Sequence, residues 1–96
     1  MTLPFVAGVA VYTDEPSARV LQRFPGLHLD GAVVERVLAA PDPRAAGIAA
    51  AVDEARALLA IPGVVGVNLS GSGSSRGEDE GARVKAEVAA QLRGMP

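Results

Sequence analysis

Two short apolar runs constrain this chain more than anything else in it. Phe5 to Tyr12 and Val64 to Leu69 are continuously apolar rather than alternating, the pattern of parallel strands covered on both faces. Three helical segments lie between them and one follows, so the order reads β-α-α-α-β-α. Parallel strands need crossover connections, and the helices supply them. Two strands alone leave two open edges and two faces that these helices cannot all cover. The sequence therefore predicts an α/β unit that is a piece of a larger parallel sheet, or that completes one by association.

The remaining elements follow from local signals. Thr13 and Asp14 are N-cap candidates, and Pro16 falls where a first helical turn needs no N–H donor, which predicts a helix over about Glu15 to Phe24 with Val20 and Phe24 inward. Pro25-Gly26 ends it. Asp30 caps a second helix, in which Leu29, Val33 and Val37, with Val34 and Leu38, recur at helical spacing. Pro41-Asp42-Pro43 separates it from a third helix whose inner rhythm is Ile48, Val52, Ala55 and Leu59, with Asp53, Glu54 and Arg56 toward solvent. Gly47 weakens that helix but permits close packing. Pro62-Gly63 closes it. The last helix, about Glu78 to Leu92, places Glu78, Asp79 and Glu80 at the positive end of its dipole and buries Val84, Val88 and Leu92.

Composition bounds the function classes. A chain of 96 residues is one domain at most, and it has two Phe, one Tyr and no Trp, so its core rests on close packing of Ala and Val. A net charge of −2 with no basic stripe argues against nucleic acid. No Cys is present, which excludes disulfides and thiolate metal sites. The N-terminus has no signal-peptide pattern and no apolar run reaches a membrane span, so a cytoplasmic protein outside the membrane is expected.

Chemistry, if present, belongs in the Gly/Ser loop Ser70 to Gly77, at the carboxyl end of the second strand, where backbone N–H groups and helix N-termini converge. Asn68 is the one polar residue inside an apolar strand and must find a partner or face a lumen. With Ser70, Ser72, Ser74 and Arg76 it makes up the candidate substrate-binding set. The loop can be read as an anion nest closed by Arg76, or as a flexible solvent loop. It is neither a dinucleotide fingerprint nor a P-loop, and three acidic residues follow it. Gly73-Ser74-Ser75-Arg76-Gly77 matches the G-x-S-x-G elbow by spacing, but the only His, His28, lies upstream of it, so the match is taken as chance. His28, in a Pro-Gly turn region, has no partner set for a metal. Asp14 and Glu15 are read as helix cap and dipole complement.

Val6-Ala7-Gly8-Val9 through Tyr12-Thr13, Ala18-Arg19-Val20-Leu21, Phe24-Pro25-Gly26, Val34-Glu35-Arg36-Val37, Asp42-Pro43-Arg44-Ala45-Ala46-Gly47-Ile48 and Leu58 through Leu69 together resemble the carboxyl-terminal end of the methylenetetrahydrofolate reductase family. The resemblance covers nearly the whole chain. It implies the last quarter of a (β/α)8 barrel, residues 1–96 corresponding to strand 7 through helix 8. It also implies an oxidoreductase that reduces 5,10-methylenetetrahydrofolate to 5-methyltetrahydrofolate with NAD(P)H, typically through FAD. Where many members carry His-Phe-Tyr-Thr-Leu-Asn-Arg after strand 8, this chain reads Asn68-Leu69-Ser70-Gly71-Ser72-Gly73-Ser74, so the folate-binding Arg position is Ser74 and Arg76 lies two residues on. The family's FAD contacts and acid catalyst come from earlier strands. The chain by itself is therefore expected to hold no catalytic residue, to bind neither FAD nor NAD(P)H, and to need the remaining barrel segments or self-association through strand edges. The alternative is a small self-associating α/β module that binds an anion at the loop without catalysis.

Overall fold

A computed structural model of the chain describes residues 4–24 and 29–94. The elements are β1 (Phe5–Ala10), α1 (Glu15–Gln22), α2 (Gly31–Ala39), α3 (Pro43–Leu59), β2 (Val64–Ser70) and α4 (Glu78–Arg93). The fold is α/β, with β1 and β2 paired in parallel in one two-stranded sheet. The register runs from Val6 opposite Gly66 to Ala10 opposite Ser70, with an irregularity between Phe5 and Val6. Val11 continues the pairing past the end of β1, its N–H donating to the Ser70 carbonyl at 2.9 Å.

Three helices start on aspartates. Asp14 accepts from the Ser17 N–H, and the Asp14 backbone N–H donates in turn to the Ser17 hydroxyl oxygen at 3.3 Å, closing a capping box. Asp30 accepts from the Ala32 N–H and Asp42 from the Ala45 N–H, the latter followed at once by Pro43. α4 begins instead at Gly77, which offers no side chain, and its acidic first turn faces the positive end of its dipole.

The helices divide between two apolar clusters. Val9 and Val11 meet Ile48, Val52 and Ala55 of α3 and Val84 and Val88 of α4, with Val67 and Leu69 of β2 packed alongside. Val9, Val11, Val84 and Val88 have no exposed surface, and each contributes about 1.5–2 kcal/mol of transfer free energy. A second cluster gathers Ala18 and Leu21 of α1, Val34 and Val37 of α2, and Ala10 and Tyr12 at the end of β1. A close backbone approach occurs at Gly47. A Cβ there would strike the Tyr12 carbonyl, so α3 crosses the chain leaving β1 at a distance that only glycine allows. Arg44 at the start of α3 ties α4 with ion pairs to Glu80 and Glu87, each at 2.9 Å.

Several expectations are corrected. The inner face of α1 is Ser17, Ala18 and Leu21, whereas Val20 and Phe24 are exposed. A helix of two turns pressed against a strand end buries small residues, and Val20 lies on its other side. The helix stops at Gln22, and the Pro25-Gly26 stop lies outside the described residues. On α3, Leu59 is exposed and Leu58 packs in its place. The strands are not covered on both faces. Val6, Gly8 and Asn68 are exposed, as are the neighbouring Phe5 and Val65, so one face of the sheet is open toward its N-terminal end. Asn68 sits on that face opposite Gly8.

Candidate functional site

The loop from Gly71 to Gly77 is tied by hydrogen bonds to the residues that follow β1. Thr13, just beyond β1, donates its hydroxyl to the Gly73 carbonyl at 2.7 Å in a buried bond. The Asp14 carboxylate, having capped α1 with one oxygen, turns the other to the loop. That oxygen accepts from the Ser75 N–H at 2.9 Å, the Ser75 hydroxyl at 2.9 Å and the Ser74 hydroxyl at 3.3 Å. Ser74 is buried, and its hydroxyl oxygen also accepts from the Arg76 N–H at 3.0 Å. One carboxylate thus clamps the two loops that leave the carboxyl ends of the parallel strands.

Behind the loop, α4 presents Gly81. A Cβ at this position would collide with the Ser72 carbonyl, so the loop lies directly on the first turns of the helix. A cavity of about 540 Å³ opens beside it, with Ser72, Ser74, Ser75 and Lys85 among its walls. Lys85 is the basic residue on this wall, and Glu78 stands opposite in charge.

Electrostatics say what this cluster does. Burial works against ionisation of Asp14, yet the hydrogen bonds from Ser17 and Ser75 outweigh it and hold the carboxyl at about 2. A carboxylate so acidic and so fully engaged is a poor proton acceptor near neutrality. Its role is structural, a fixed negative charge that occupies the donors an external anion would need. Ser75, the residue at the serine position of the elbow-like pattern, spends its hydroxyl on Asp14. It lies in a loop instead of a tight strand-to-helix turn, which leaves that pattern without its chemistry. Glu80 is held below the usual carboxylate range chiefly by the hydrogen bond from Arg44, with the charges of Arg83 and Arg76 adding to it.

The predicted binding residues therefore divide. Ser70, Ser72, Ser74 and Arg76 lie together around the end of β2 and the loop, although Ser74 is committed to Asp14 and the Arg76 side chain is exposed close enough to Glu80 to favour its charge. Asn68 stands apart, exposed on the open face of the sheet, and no hydrogen bond holds its side chain among the described residues. His28 lies outside the described residues. Among the described residues no cluster of three or more His, Cys, Asp or Glu side chains is arranged to hold a metal, and no helix is long and apolar enough to cross a membrane. Sequence reasoning missed the second role of Asp14 and the part played by Thr13. Position at the carboxyl end of a strand was the available signal, and capping alone accounted for Asp14 too readily. Comparison of the chain with family models, with curated proteins and with solved structures finds no match.

Proposed function

We propose that the chain is the carboxyl-terminal part of an oxidoreductase of the methylenetetrahydrofolate reductase type, that it supplies strand 7 through helix 8 of a (β/α)8 barrel, and that it is inactive alone. The observation that carries this reading is the half-covered parallel pair. β1 and β2 are adjacent, α3 and α4 cover one face, and the other face exposes Val6, Gly8 and Asn68 while its C-terminal end, at Ala10 and Tyr12, packs against α1 and α2. Strands in a barrel have one face against helices and the other toward an interior filled by side chains from the remaining strands. Small residues such as Gly8 and Gly66 leave room for larger ones from across such an interior.

The two loops at the carboxyl ends also suit this reading, because barrel enzymes bind substrate at that end. Here the loops are clamped by Asp14 and offer a folate Ser72, Lys85 and the exposed Arg76 side chain. The residues present do not form a flavin or nicotinamide site. The donors that could meet a phosphate, on Ser74 and Ser75, are taken by Asp14, and Glu78, Asp79 and Glu80 follow directly. In this reading both cofactors are held by the upstream units.

Co-expression tests it. The purified chain alone is expected to retain no flavin and to oxidise no NAD(P)H with a folate acceptor. Co-expressed with a separate polypeptide carrying the first six βα units of such a reductase, it is expected to co-purify as a flavin-containing complex with that activity. Turnover by the isolated chain, or failure of the two parts to associate, overturns the proposal.

A further inference from the structure

Strand β2 has a free edge. Because the Val11 N–H bonds the Ser70 carbonyl, the backbone groups of Gly66, Asn68 and Ser70 turn toward β1, and those of Val67 and Leu69 turn outward. Among the described residues these outward groups bond to no helix or loop. Every residue from Val65 to Ser70 keeps contact with solvent, whereas β1 and its continuation are buried from Val9 to Thr13. Edge strands are commonly blunted by charge or proline along their length, and β2 has neither, since no charged residue occurs between Arg56 and Arg76. The irregularity in the pairing lies at its first step and leaves Gly66 to Ser70 regular. An uncharged edge of this kind is a template for another strand.

We propose that the occupant is a second copy of this chain, its β2 lying antiparallel to the first about a two-fold axis through Val67. Two observations select a copy. The first is that β2 is complementary to itself in this register. Val67 of each copy exchanges backbone hydrogen bonds with Val67 of the other, Val65 comes opposite Leu69, and Gly66 comes opposite Asn68. Val67 and Leu69 already pack against the core cluster under α3 and α4, so these pairs extend that cluster across the axis and cover Val65, which is 67 % exposed in the single chain. On the other face Asn68 lies against a glycine, and nowhere along the pair do like charges meet. The second observation is area. The chain presents 5990 Å² to solvent, where a monomeric globular protein of 9.7 kDa presents about 5,100 Å². The excess is close to the roughly 800 Å² that each partner buries in a stable interface of standard size. A two-fold pairing also uses the β2 edge of both copies and stops there, whereas head-to-tail pairing of β2 with β1 would continue to further copies. The inference stands apart from the barrel reading, and upstream units that took the β2 edge would displace the second copy.

The test is light scattering coupled to size-exclusion chromatography of the purified chain, loaded from about 5 µM to about 0.5 mM, together with amide hydrogen exchange at both extremes. A mass twice 9.7 kDa is expected at the higher concentration. The Val67 and Leu69 amides, which face solvent in a single chain, are expected to exchange about tenfold or more slowly there than in the dilute sample, while those of Val6 and Gly8 stay fast. Val65→Lys places a charge on the edge at an exposed position. It is expected to run as a single chain at every loading, with the parent's circular dichroism, and to lose the added protection. A single-chain mass at about 0.5 mM, a mass of four or more copies, protection gained at Val6 and Gly8 instead, or a Val65→Lys variant as dimeric as the parent would each overturn the proposal.

Discussion

Replacing Asp14 tests the clamp between the two strand-end loops. Its carboxylate caps α1 through the Ser17 N–H at 3.1 Å and receives three donors from Ser74 and Ser75 through its other oxygen. Asp14→Ala loses the cap, about 1 kcal/mol, and leaves the Ser75 N–H without its charged acceptor, for a total of about 2–3 kcal/mol. Asp14→Asn separates the two roles. Its amide oxygen can still cap α1, but the NH2 group then faces the Ser75 N–H, and two donors cannot satisfy each other. A loss of about 1–2 kcal/mol is expected. Ser75→Ala keeps the N–H and removes one hydroxyl, at a cost of about 0.5–1 kcal/mol. The acid limb of stability adds an independent measure. The folded carboxyl lies at about 2 against 3.8 when unperturbed, so the contribution is fully present above about pH 4 and is lost as pH falls through about 2. At about 1.36 kcal/mol per unit the shift corresponds to roughly 2.5 kcal/mol, and residual contact with water reduces this to about 1–2 kcal/mol. Urea unfolding followed by circular dichroism from pH 7 to pH 2 measures both effects. The reasoning fails if Asp14→Asn is as stable as the parent at pH 7, or if it loses stability toward low pH as steeply as the parent does.

Gly81→Ala pushes its Cβ into the Ser72 carbonyl, so the loop must lift from α4; a loss of about 2–3 kcal/mol is expected, seen as a Tm lower by roughly 10–20 °C in calorimetry. Gly47→Ala meets the Tyr12 carbonyl in the same way and should cost a similar amount, against the gain of up to about 1 kcal/mol that Gly→Ala gives in an open helix, so a net stabilisation in urea titration would show that α3 does not approach β1 as described. Val88→Ala opens a void in a fully buried position between α3 and α4 and should cost about 2 kcal/mol in the same titration. Val6→Lys, on the open face of the sheet, should change the stability of the isolated chain by no more than about 0.5 kcal/mol yet abolish co-purification with the upstream barrel units; retained association would place the contact elsewhere.

Helix starts and the element order were legible in the sequence because each rests on a local rule. Asp14, Asp30 and Asp42 cap through bonds to residues two or three positions on, and Val84 and Val88 repeat at the spacing of one helical face. What failed to show was set by contacts distant in sequence. Val20 and Phe24 have the same hydrophobic character as the valines that are buried, and only the placement of α1 at the strand end decides that they face outward. The Asp14 clamp spans about 60 positions, and its donors are serines in a tract whose composition equally suits a disordered loop. The close approaches at Gly47 and Gly81 were half visible. A glycine inside a helix signals either a packing reason or weak propensity, and the atoms it makes room for, carbonyls of Tyr12 and Ser72, come from other elements.

The open sheet face and the clamp bear on the same question from opposite directions. A strand pair that buried both faces within this chain would make the unit self-sufficient, and its apolar pattern would need nothing further. Instead Val6 remains more than half exposed, with Gly8 and Asn68 open beside it, and the same face is covered only at its C-terminal end, where Ala10 and Tyr12 pack against α1, α2 and α3. Apolar area left in water forgoes about 25 cal/mol per Å² of stabilisation, so coverage by further strands would be favourable. At the carboxyl ends the chain is finished, with loop donors satisfied by Asp14 and glycines seating the loop on α4. Under the barrel reading proposed above, such a unit is joined through the sheet, with its strand-end loops already shaped before joining. That reading puts the binding energy in strand pairing and interior packing, and under it Val6→Lys and Asp14→Asn should separate cleanly, the first affecting association and the second stability.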